Sequence, residues 1–241
     1  MKTIGIIGGM GPLATVDLFQ KIVIHTMATK DQDHIPIVID NNTRIADRTL
    51  AIVKEGPSPV PELIKSGQRL EKAGADMILM GCNTVHYFYQ DLAQSLTVPL
   101  LHMPKITAKK ISQQGWKKVG ILGSTGAIFG HVYQDVLEEQ GISWVLPKDE
   151  EQKIVQKLIY DGVKKGCFPE DAFGFKEVLT SLCDQGAEVF IMGCTELPVA
   201  MEKYNLPYRW VDPTLELAKA GVEMAGGMWV EGGEHGVLGT L

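Results

Sequence analysis

Two stretches of the chain share one pattern, AGADMILMGCNT at residues 73–84 and QGAEVFIMGCTE at residues 185–196. Each contains a Gly-Ala-acid turn, an apolar run suited to a buried strand, and a Gly-Cys pair where that strand should end. A second pair, TIGIIG at residues 3–8 and KVGILG at residues 118–123, matches at nearly the same separation. The offsets of 112 and 115 residues indicate an internal repeat rather than a chance match of apolar residues.

The chain as a whole alternates between short runs rich in Ile and Val and amphipathic segments of helix length, which is typical of parallel α/β proteins. Strands are predicted at residues 3–7, 35–40, 77–81, 100–102, 119–123, 143–146, 189–193 and 208–211. Helices are predicted at residues 12–29, 59–73, 86–95, 105–114, 128–140, 150–165, 169–185 and 214–229. We therefore predict an α/β fold of two similar three-layer lobes with parallel sheets, related by pseudo-twofold symmetry, with the active site in the cleft between them.

The predicted lobes are interleaved along the chain. The first should comprise residues 1–103 plus 212–241, and the second residues 104–211. The break points lie near Pro104 and Val211, so the final helix would return to the first lobe. Residues 231–241 contain four glycines and are predicted to form a frayed tail.

The composition is that of a soluble globular protein, with 45% hydrophobic and 22% charged residues in a chain of 241. A net charge of −6 without a long basic run disfavours a nucleic acid or an acidic membrane surface as partner. No apolar stretch approaches the roughly 18 residues of a membrane span, and the N-terminus lacks the pattern of a signal peptide. We expect a cytoplasmic protein with neither a membrane nor a nucleic-acid partner.

Cys82 and Cys194 occupy equivalent positions of the repeat, each at a strand end and each followed by an amide or hydroxyl residue. The loops after the strands of a parallel sheet are where ligands bind, so the two thiols should converge on one cleft. The other two cysteines, Cys167 and Cys183, have no repeat partner and are expected to be packing or surface residues. No pair has the spacing of a zinc or redox motif, and all four are expected to be free thiols.

Two facing thiols suit proton exchange at a carbon centre. One, as thiolate, removes a proton from one face of the substrate, and the other returns a proton to the opposite face. General acid–base catalysis needs a pKa near the working pH, and the ordinary cysteine pKa of about 8.5 is close. A helix N-terminus after each cysteine would favour the thiolate, and the peptide N–H groups of Asn83, Thr84 and Val85 could hold a carboxylate.

Other site types are less well supported. The six histidines are scattered without metal-ligand spacing, so no metal site is predicted. Residues 9–14, GMGPLA, match a dinucleotide fingerprint. The fingerprint also requires an acidic residue about 20 positions on, at the end of the second strand, and the candidate for it, Asp40, lies farther away. A nucleotide-binding oxidoreductase and a non-catalytic dicarboxylate-binding protein stay open as alternatives. The second could lack either thiol, so the presence of both favours an enzyme.

Four motifs together resemble the aspartate/glutamate racemase family: GGMGPLAT at residues 8–15, Asp47-Arg48-Thr49, Cys82-Asn83-Thr84 and Gly193-Cys194-Thr195-Glu196. The resemblance covers about residues 2–225 and points above all to its aspartate racemases. Glutamate racemases usually open with Asp-Ser-Gly and follow the second Gly-Cys-Thr with His-Tyr-Pro. This chain has Gly8-Gly9-Met10 and Glu196-Leu197-Pro198 at those places.

The resemblance implies a homodimeric isomerase, an amino-acid racemase that interconverts L- and D-aspartate without pyridoxal phosphate or any other cofactor. It implies that Cys82 and Cys194 are the catalytic acid–base pair, and that Arg48 and Lys164 hold the substrate's carboxylates. The further substrate-binding residues that it implies are Met10, Asp47, Thr49, Asn83, Thr84, Val85, Thr125, Thr195 and Glu196.

The residues alone leave several of these roles open. Arg48 could equally be a solvated loop arginine, and Lys164, next to Lys165, would be expected to face solvent. Glu196 could contact the substrate ammonium or only favour the N-terminus of the next helix. A preference for glutamate, or a broad range of amino acids, also stays open, as do the single-cysteine decarboxylases and maleate isomerases of the wider superfamily.

Overall fold

The computed structural model describes residues 1–231, in which parallel strands alternate with helices. The strands are β1 (Ile4–Gly8), β2 (Ile37–Asn41), β3 (Met77–Met80), β4 (Lys118–Gly123), β5 (Ser143–Val145), β6 (Val189–Gly193) and β7 (Trp210–Val211). The helices are α1 (Pro12–Ile24), α2 (Arg48–Ile52), α3 (Val60–Lys72), α4 (Tyr89–Ala93), α5 (Met103–Gln113), α6 (Thr125–Phe129), α7 (Gln134–Glu138), α8 (Asp149–Lys157), α9 (Phe175–Asp184), α10 (Glu196–Lys203) and α11 (Pro213–Met224). The tail predicted at residues 231–241 lies, beyond Glu231, outside the described residues.

The strands form two parallel sheets. The first has the order β2-β1-β3, and the second the order β5-β4-β6-β7. Residues 100–102, predicted as a strand, contribute a single parallel bridge from Leu100 to Ile78. Because the repeat partners β1 and β4 are neighbours of β3 and β6 respectively, the two sheets have the same central arrangement. The predicted α/β fold with two parallel sheets is confirmed.

The central strands are continuous apolar runs because helices cover both faces of each sheet. On the first sheet, one face packs against α3 and α4 and the other against α1 and α11. On the second sheet, α8, α9 and α10 cover one face, and α5 and α7 the other. Helix α5 contributes to both halves, with Met103 in the core of the first and Ile111 in that of the second.

Helix α11 comes after the last strand of the second sheet but packs on the first. Leu217 and Ala218 lie in one buried cluster with Ile4 and Leu79. Gly221 is so close to that sheet that a Cβ atom there would lie 2.8 Å from the Leu79 side chain. Asp212 starts the helix by accepting the N–H of Thr214 at 2.8 Å. The lobe boundaries near residues 104 and 211 stay a prediction.

Several helices of the structure differ from the predicted ones. Helices α2 and α10 are additional, and the helix predicted at residues 128–140 is divided into α6 and α7. The helix predicted at residues 150–165 continues beyond α8 as a π-helical turn, Leu158–Gly162, and then a 3-10 turn, Val163–Lys165. Among residues 1–231, no helix combines the length and the apolar character that crossing a membrane requires.

Candidate active site

Cys82 and Cys194 line the same cavity, although they come after strands of different sheets. Cys82 comes two residues after the end of β3, and Cys194 comes directly after β6. Both strands are parallel neighbours of a central strand, so both cysteines lie at the carboxyl edge of their sheet. All four cysteines are free thiols, of which Cys82 is buried, Cys194 half-buried, and Cys167 and Cys183 exposed.

The residue before Cys194 must be a glycine because β6 and β4 approach closely there. A Cβ atom on Gly193 would lie 2.8 Å from the carbonyl oxygen of Leu122 and 3.2 Å from the ring of Tyr133. After Cys194, Thr195 leads into α10, which begins at Glu196. After Cys82, Asn83 leads into the 3-10 turn Thr84–Phe88. Each cysteine is thus held between a buried strand and a helical turn.

His86 holds the Cys82 loop from behind. Its Nδ1 donates to the carbonyl oxygen of Cys82 at 3.0 Å, and its Nε2 accepts the N–H of Met103 at 3.2 Å. This pattern requires a neutral ring with its proton on Nδ1. Burial, together with the nearby His102, lowers the pKa of His86 to about 3. The ring therefore stays neutral at neutral pH and ties the cysteine loop to the start of α5.

Asn83 and Thr84 both contact the second half of the protein. The Thr84 and Ser124 hydroxyl oxygens are 2.8 Å apart, and the hydroxyl of Tyr133 donates a hydrogen bond to Asn83 Oδ1. The amide nitrogen Nδ2 of Asn83 is buried, with no hydrogen-bond partner in the part of the chain that the structure describes. Buried donors are almost always paired, so an unpaired amide at a cavity wall suits a ligand acceptor.

Arg48 lies at the cavity with its guanidinium anchored to the backbone rather than to a carboxylate. Its Nη1 donates to Ala46 O at 3.2 Å and its Nη2 to Met10 O at 3.1 Å. Its Nε is buried and has no partner among residues 1–231. Asp47, which also lines the cavity, accepts the N–H of Leu50 at 2.9 Å and so starts α2. The positive charge of Arg48 is therefore available to an anion.

Glu196 connects Cys194 with Lys164. Its Oε2 accepts from Cys194 Sγ at 2.9 Å and from Thr195 Oγ1 at 3.1 Å, and its Oε1 accepts from Lys164 Nζ at 2.5 Å. The Glu196 side chain is 14% exposed and that of Lys164 38%. Lys164 also lies over the ring of Tyr160, with Nζ 5.8 Å from the ring centre. Lys164, one of the two cations predicted to bind substrate, is thus already paired with Glu196.

The pKa values around Cys194 reflect these contacts. Burial, and then the charge of Glu196 and the hydrogen bond to it, raise the pKa of Cys194 well above its ordinary value. Burial opposes ionisation of Glu196, but the hydrogen bonds from Cys194 and Lys164 hold the pKa of Glu196 below its ordinary value. Burial, and after it the carboxylate at the first position of α10, therefore oppose the thiolate that a helix N-terminus is expected to favour at Cys194.

The cavity lining contains every residue predicted for the site except Val85 and Thr125. Val85 is fully buried in the core of the first sheet. The role predicted for its peptide N–H stays a prediction. Thr125 starts α6 with an exposed side chain, and its neighbour Ser124 lines the cavity instead. The lining residues are Met10, Asp47, Arg48, Thr49, Cys82, Asn83, Thr84, Ser124, Tyr160, Lys164, Gly193, Cys194, Thr195 and Glu196.

Two polar residues of the lining, Ser124 and Tyr160, escaped the sequence-based prediction, although each has a signal. Ser124 comes after β4 as Gly9 comes after β1, so the repeat relates them at the offset of 115 residues. Tyr160 precedes Lys164 by one helical turn, and residues at that spacing share a helix face. Hydrophobic periodicity does not predict the π-helical turn that contains Tyr160.

The glycine-rich loop after β1 approaches the end of β2 rather than leaving room for a nucleotide there. Gly9 has a φ of +88°, and a Cβ atom on it would lie 2.4 Å from the carbonyl carbon of Asn42. Asp40, the acidic residue considered for a ribose, binds Arg69 at 2.6 and 3.0 Å. Residues 1–231 contain no group of three or more His, Cys, Asp or Glu side chains placed to hold a metal ion.

Comparison with known proteins gives one family and several relatives. The family described as Asp/Glu/Hydantoin racemase matches residues 7–225. The broad specificity amino-acid racemase RacX of Bacillus subtilis is 30% identical over 225 residues, which cover 91% of this chain and 96% of that protein.

Solved structures agree with this match. The aspartate racemase of Picrophilus torridus is 31% identical with a TM-score of 0.80, covering 95% of this chain and 96% of that one. An aspartate racemase homologue from Pyrococcus horikoshii is 27% identical with a TM-score of 0.78, covering 94% and 100%. The similarity therefore extends over both halves of the fold.

Proposed function

The chain belongs to the Asp/Glu/hydantoin racemase family, and we propose that it racemises amino acids by proton transfer between Cys82 and Cys194, without a cofactor. The observation that supports this most is that both thiols, at equivalent positions of the repeat, line one cavity. Asn83 and Arg48 line the same cavity, and within residues 1–231 Asn83 Nδ2 and Arg48 Nε have no acceptor, which a carboxylate-bearing ligand would supply. A non-catalytic binding protein would not need two thiols there.

The proposed reaction exchanges one proton on each side of the α-carbon. Cys82, as thiolate, takes the α-proton from one face, so a C–H bond breaks and an S–H bond forms. Cys194, as thiol, gives its proton to the opposite face, so its S–H bond breaks and a new C–H bond forms. The centre is inverted, and the reverse reaction exchanges the two roles. No electron is transferred to a cofactor, and the two-thiol system ends with the same number of protons.

The proposed binding mode uses the unpaired donors. The substrate α-carboxylate would accept from Asn83 Nδ2, from the Thr84 hydroxyl when Ser124 donates to it, and from the Thr195 hydroxyl once it turns away from Glu196. The Arg48 guanidinium, anchored by two backbone carbonyls, would hold the side-chain carboxylate of aspartate. A carboxylate buried without such partners would be strongly disfavoured. Aspartate is therefore the substrate that we propose first.

A broad amino-acid range is the second candidate, and a specific contact favours it. Lys164, the other cation predicted for a dicarboxylate, is already neutralised by Glu196 at 2.5 Å. The Arg48 guanidinium by itself would suffice for the single carboxylate of a neutral amino acid. The name of the Bacillus subtilis relative, which describes a broad-specificity enzyme, is in line with this candidate.

Racemisation is tested by incubating the purified protein with single L-amino acids and following the decay of optical rotation. We expect decay with L-aspartate at a rate that dialysis against a chelator leaves unchanged, and no pyridoxal or flavin absorbance in the protein. Decay with aspartate alone supports the first candidate, and equal decay with alanine supports the second. No decay with any amino acid would refute the proposed function.

Three further features are proposed with the function and are independent of the chemistry. We propose that the protein is a homodimer in the cytoplasm, and that its lobes divide near residues 104 and 211. Analytical ultracentrifugation tests the first of these. Expression of residues 104–211 alone, followed by its circular dichroism, tests whether that segment folds as a lobe.

A further inference from the structure

We propose that Glu196 is a catalytic residue that holds Cys194 as the protonated thiol, and that Lys164 keeps Glu196 charged for this task. The inference rests on the proposed racemase function and deepens it, because it assigns the starting protonation state of one of the two thiols. It also gives Glu196 a role other than contact with the substrate ammonium.

The ionised state of Glu196 determines where the proton of its contact with Cys194 lies. A carboxylate only accepts hydrogen bonds, so with Lys164 keeping Glu196 ionised, the 2.9 Å contact between Cys194 Sγ and Glu196 Oε2 places the hydrogen on sulfur. The same oxygen accepts from Thr195 Oγ1, and the other oxygen accepts from Lys164. Each oxygen of Glu196 therefore has a partner that donates.

Lys164 makes this arrangement stable at neutral pH. Its Nζ lies 2.5 Å from Glu196 Oε1, and the Glu196 side chain is largely shielded from water. Without the ammonium group, a shielded carboxylate would tend to take a proton itself and could no longer accept from Cys194. Lys164 and Glu196 therefore act together on the thiol, the first directly on the carboxylate and the second directly on sulfur.

The consequence for turnover is an asymmetry between the thiols. Cys194 starts as the acid, so Cys82 is the base that removes the α-proton in the first half of the reaction. Once Cys194 has given up its proton, its thiolate lies beside the Glu196 carboxylate. The repulsion between these charges favours return of a proton to Cys194, either from the α-carbon in the reverse reaction or, after product release, from the Cys82 thiol by exchange through solvent. The charges that act on the Cys194 thiol are those of Glu196, Lys164 and Cys82. The charge of Cys194 in turn acts on the phenols of Tyr133 and Tyr160.

The test is the pH dependence of alkylation of each cysteine by iodoacetamide, followed by mass spectrometry of the digested protein. In Glu196→Gln, the pKa of Cys194 should fall. Below that pKa the thiolate fraction becomes about tenfold larger for each pKa unit, and alkylation about three- to fourfold faster because a less basic thiolate is a weaker nucleophile. In Lys164→Gln, Glu196 loses the ammonium group that keeps it ionised and takes up a proton more readily, so the pKa of Cys194 should fall in the same direction as in Glu196→Gln. A role of Glu196 confined to the start of α10 would leave the pKa of Cys194 unchanged in both variants.

Matched controls come from the same two segments. Glu202→Gln changes an exposed carboxylate of α10, and Lys165→Gln changes a lysine that pairs with Asp161 at 2.6 Å. Neither should move the Cys194 profile. If access of the reagent limits alkylation, the same titration is read from thiolate ultraviolet absorbance in a Cys82→Ser/Cys167→Ser/Cys183→Ser background, in which Cys194 is the remaining thiol.

An unchanged or raised Cys194 pKa in Glu196→Gln would overturn the inference. The measurement needs no racemase activity, so its outcome does not depend on whether the proposed function is correct. A shifted Cys194 in a protein that racemises nothing would refute the function and leave the pairing intact. An unchanged pKa of Cys194 in a protein that racemises amino acids would refute the pairing and leave the function intact.

Discussion

The hydroxyl of Tyr133 donates a hydrogen bond to Oδ1 of Asn83, the residue directly after Cys82. The ring of Tyr133 also lies against Gly193, the residue directly before Cys194. Tyr133 itself is buried, with 1% of its surface exposed. One side chain between α6 and α7 therefore touches both cysteine loops, so the separation of the two thiols depends on how Tyr133 is packed.

Tyr133→Phe should destabilise the protein, because it leaves Asn83 Oδ1 buried without its donor. We expect a loss of about 1–3 kcal/mol in the free energy of unfolding, measured by urea denaturation. Tyr87→Phe is the matched control, since Tyr87 is 50% exposed and should change stability by less than about 0.5 kcal/mol. Equal effects of the two substitutions would contradict the prediction.

Cys82→Ser and Cys194→Ser should each abolish racemisation while the fold survives, because a hydroxyl is far too weak an acid to replace a thiol at carbon. Each variant should still exchange the α-proton of one enantiomer with deuterium from solvent through its remaining thiol. Proton NMR of L- and D-aspartate in deuterated buffer measures this exchange. Cys167→Ser and Cys183→Ser alter exposed cysteines and should leave turnover unchanged. Near-normal racemisation in either site variant would refute the two-thiol mechanism.

Arg48→Ala should reduce kcat/KM for aspartate, since it leaves one substrate carboxylate without its charged partner. The corresponding loss of transition-state stabilisation should be about 2–4 kcal/mol. The value of kcat/KM for alanine as substrate should fall less, because alanine lacks a side-chain carboxylate. Arg48→Lys keeps the charge without the planar fork, so its kcat/KM for aspartate should lie between those of the parent and of Arg48→Ala. Arg44→Ala removes an exposed arginine of the same loop and is the control. If the parent enzyme racemised alanine as fast as aspartate, Arg48 would not recognise the side chain.

The neutral His86 should make the protein sensitive to mild acid. Unfolded His86 binds a proton below about pH 6.5, whereas burial keeps the folded ring neutral until its pKa of about 3. The contribution of His86 to stability is therefore complete above the unfolded pKa and is lost progressively as the pH falls from there toward the folded pKa.

His86→Asn should accordingly reduce the fall in Tm between neutral pH and about pH 5, since asparagine does not titrate. Its amide can still donate to the carbonyl of Cys82. His131→Asn replaces an exposed histidine and should leave the pH dependence of Tm as in the parent. Thermal unfolding followed by circular dichroism at several pH values measures both. A fall in Tm as steep in His86→Asn as in the parent would show that another group controls acid sensitivity.

The sequence determined the sheets and the position of the two thiols. Buried strands are short apolar runs, and a parallel sheet puts the residues after its strands at one edge, so the repeat was enough to place Cys82 and Cys194 at equivalent strand ends. These features depend on local pattern and on topology, which the order of residues expresses directly.

Only the tertiary structure decided the partners of the site residues. The lysines at 164 and 165 are neighbours in sequence, yet Lys164 meets Glu196 at the cavity and Lys165 pairs with Asp161. A π-helical turn precedes them, and one extra residue in a helix rotates all later side chains by roughly 100°. Glu196 likewise meets Cys194 because only Cys194 and Thr195 separate the end of β6 from the start of α10, a boundary that hydrophobic periodicity does not mark. Ion pairs and hydrogen bonds between distant segments depend on such rotations, and for this reason the protonation of Cys194 is decided only in the folded chain.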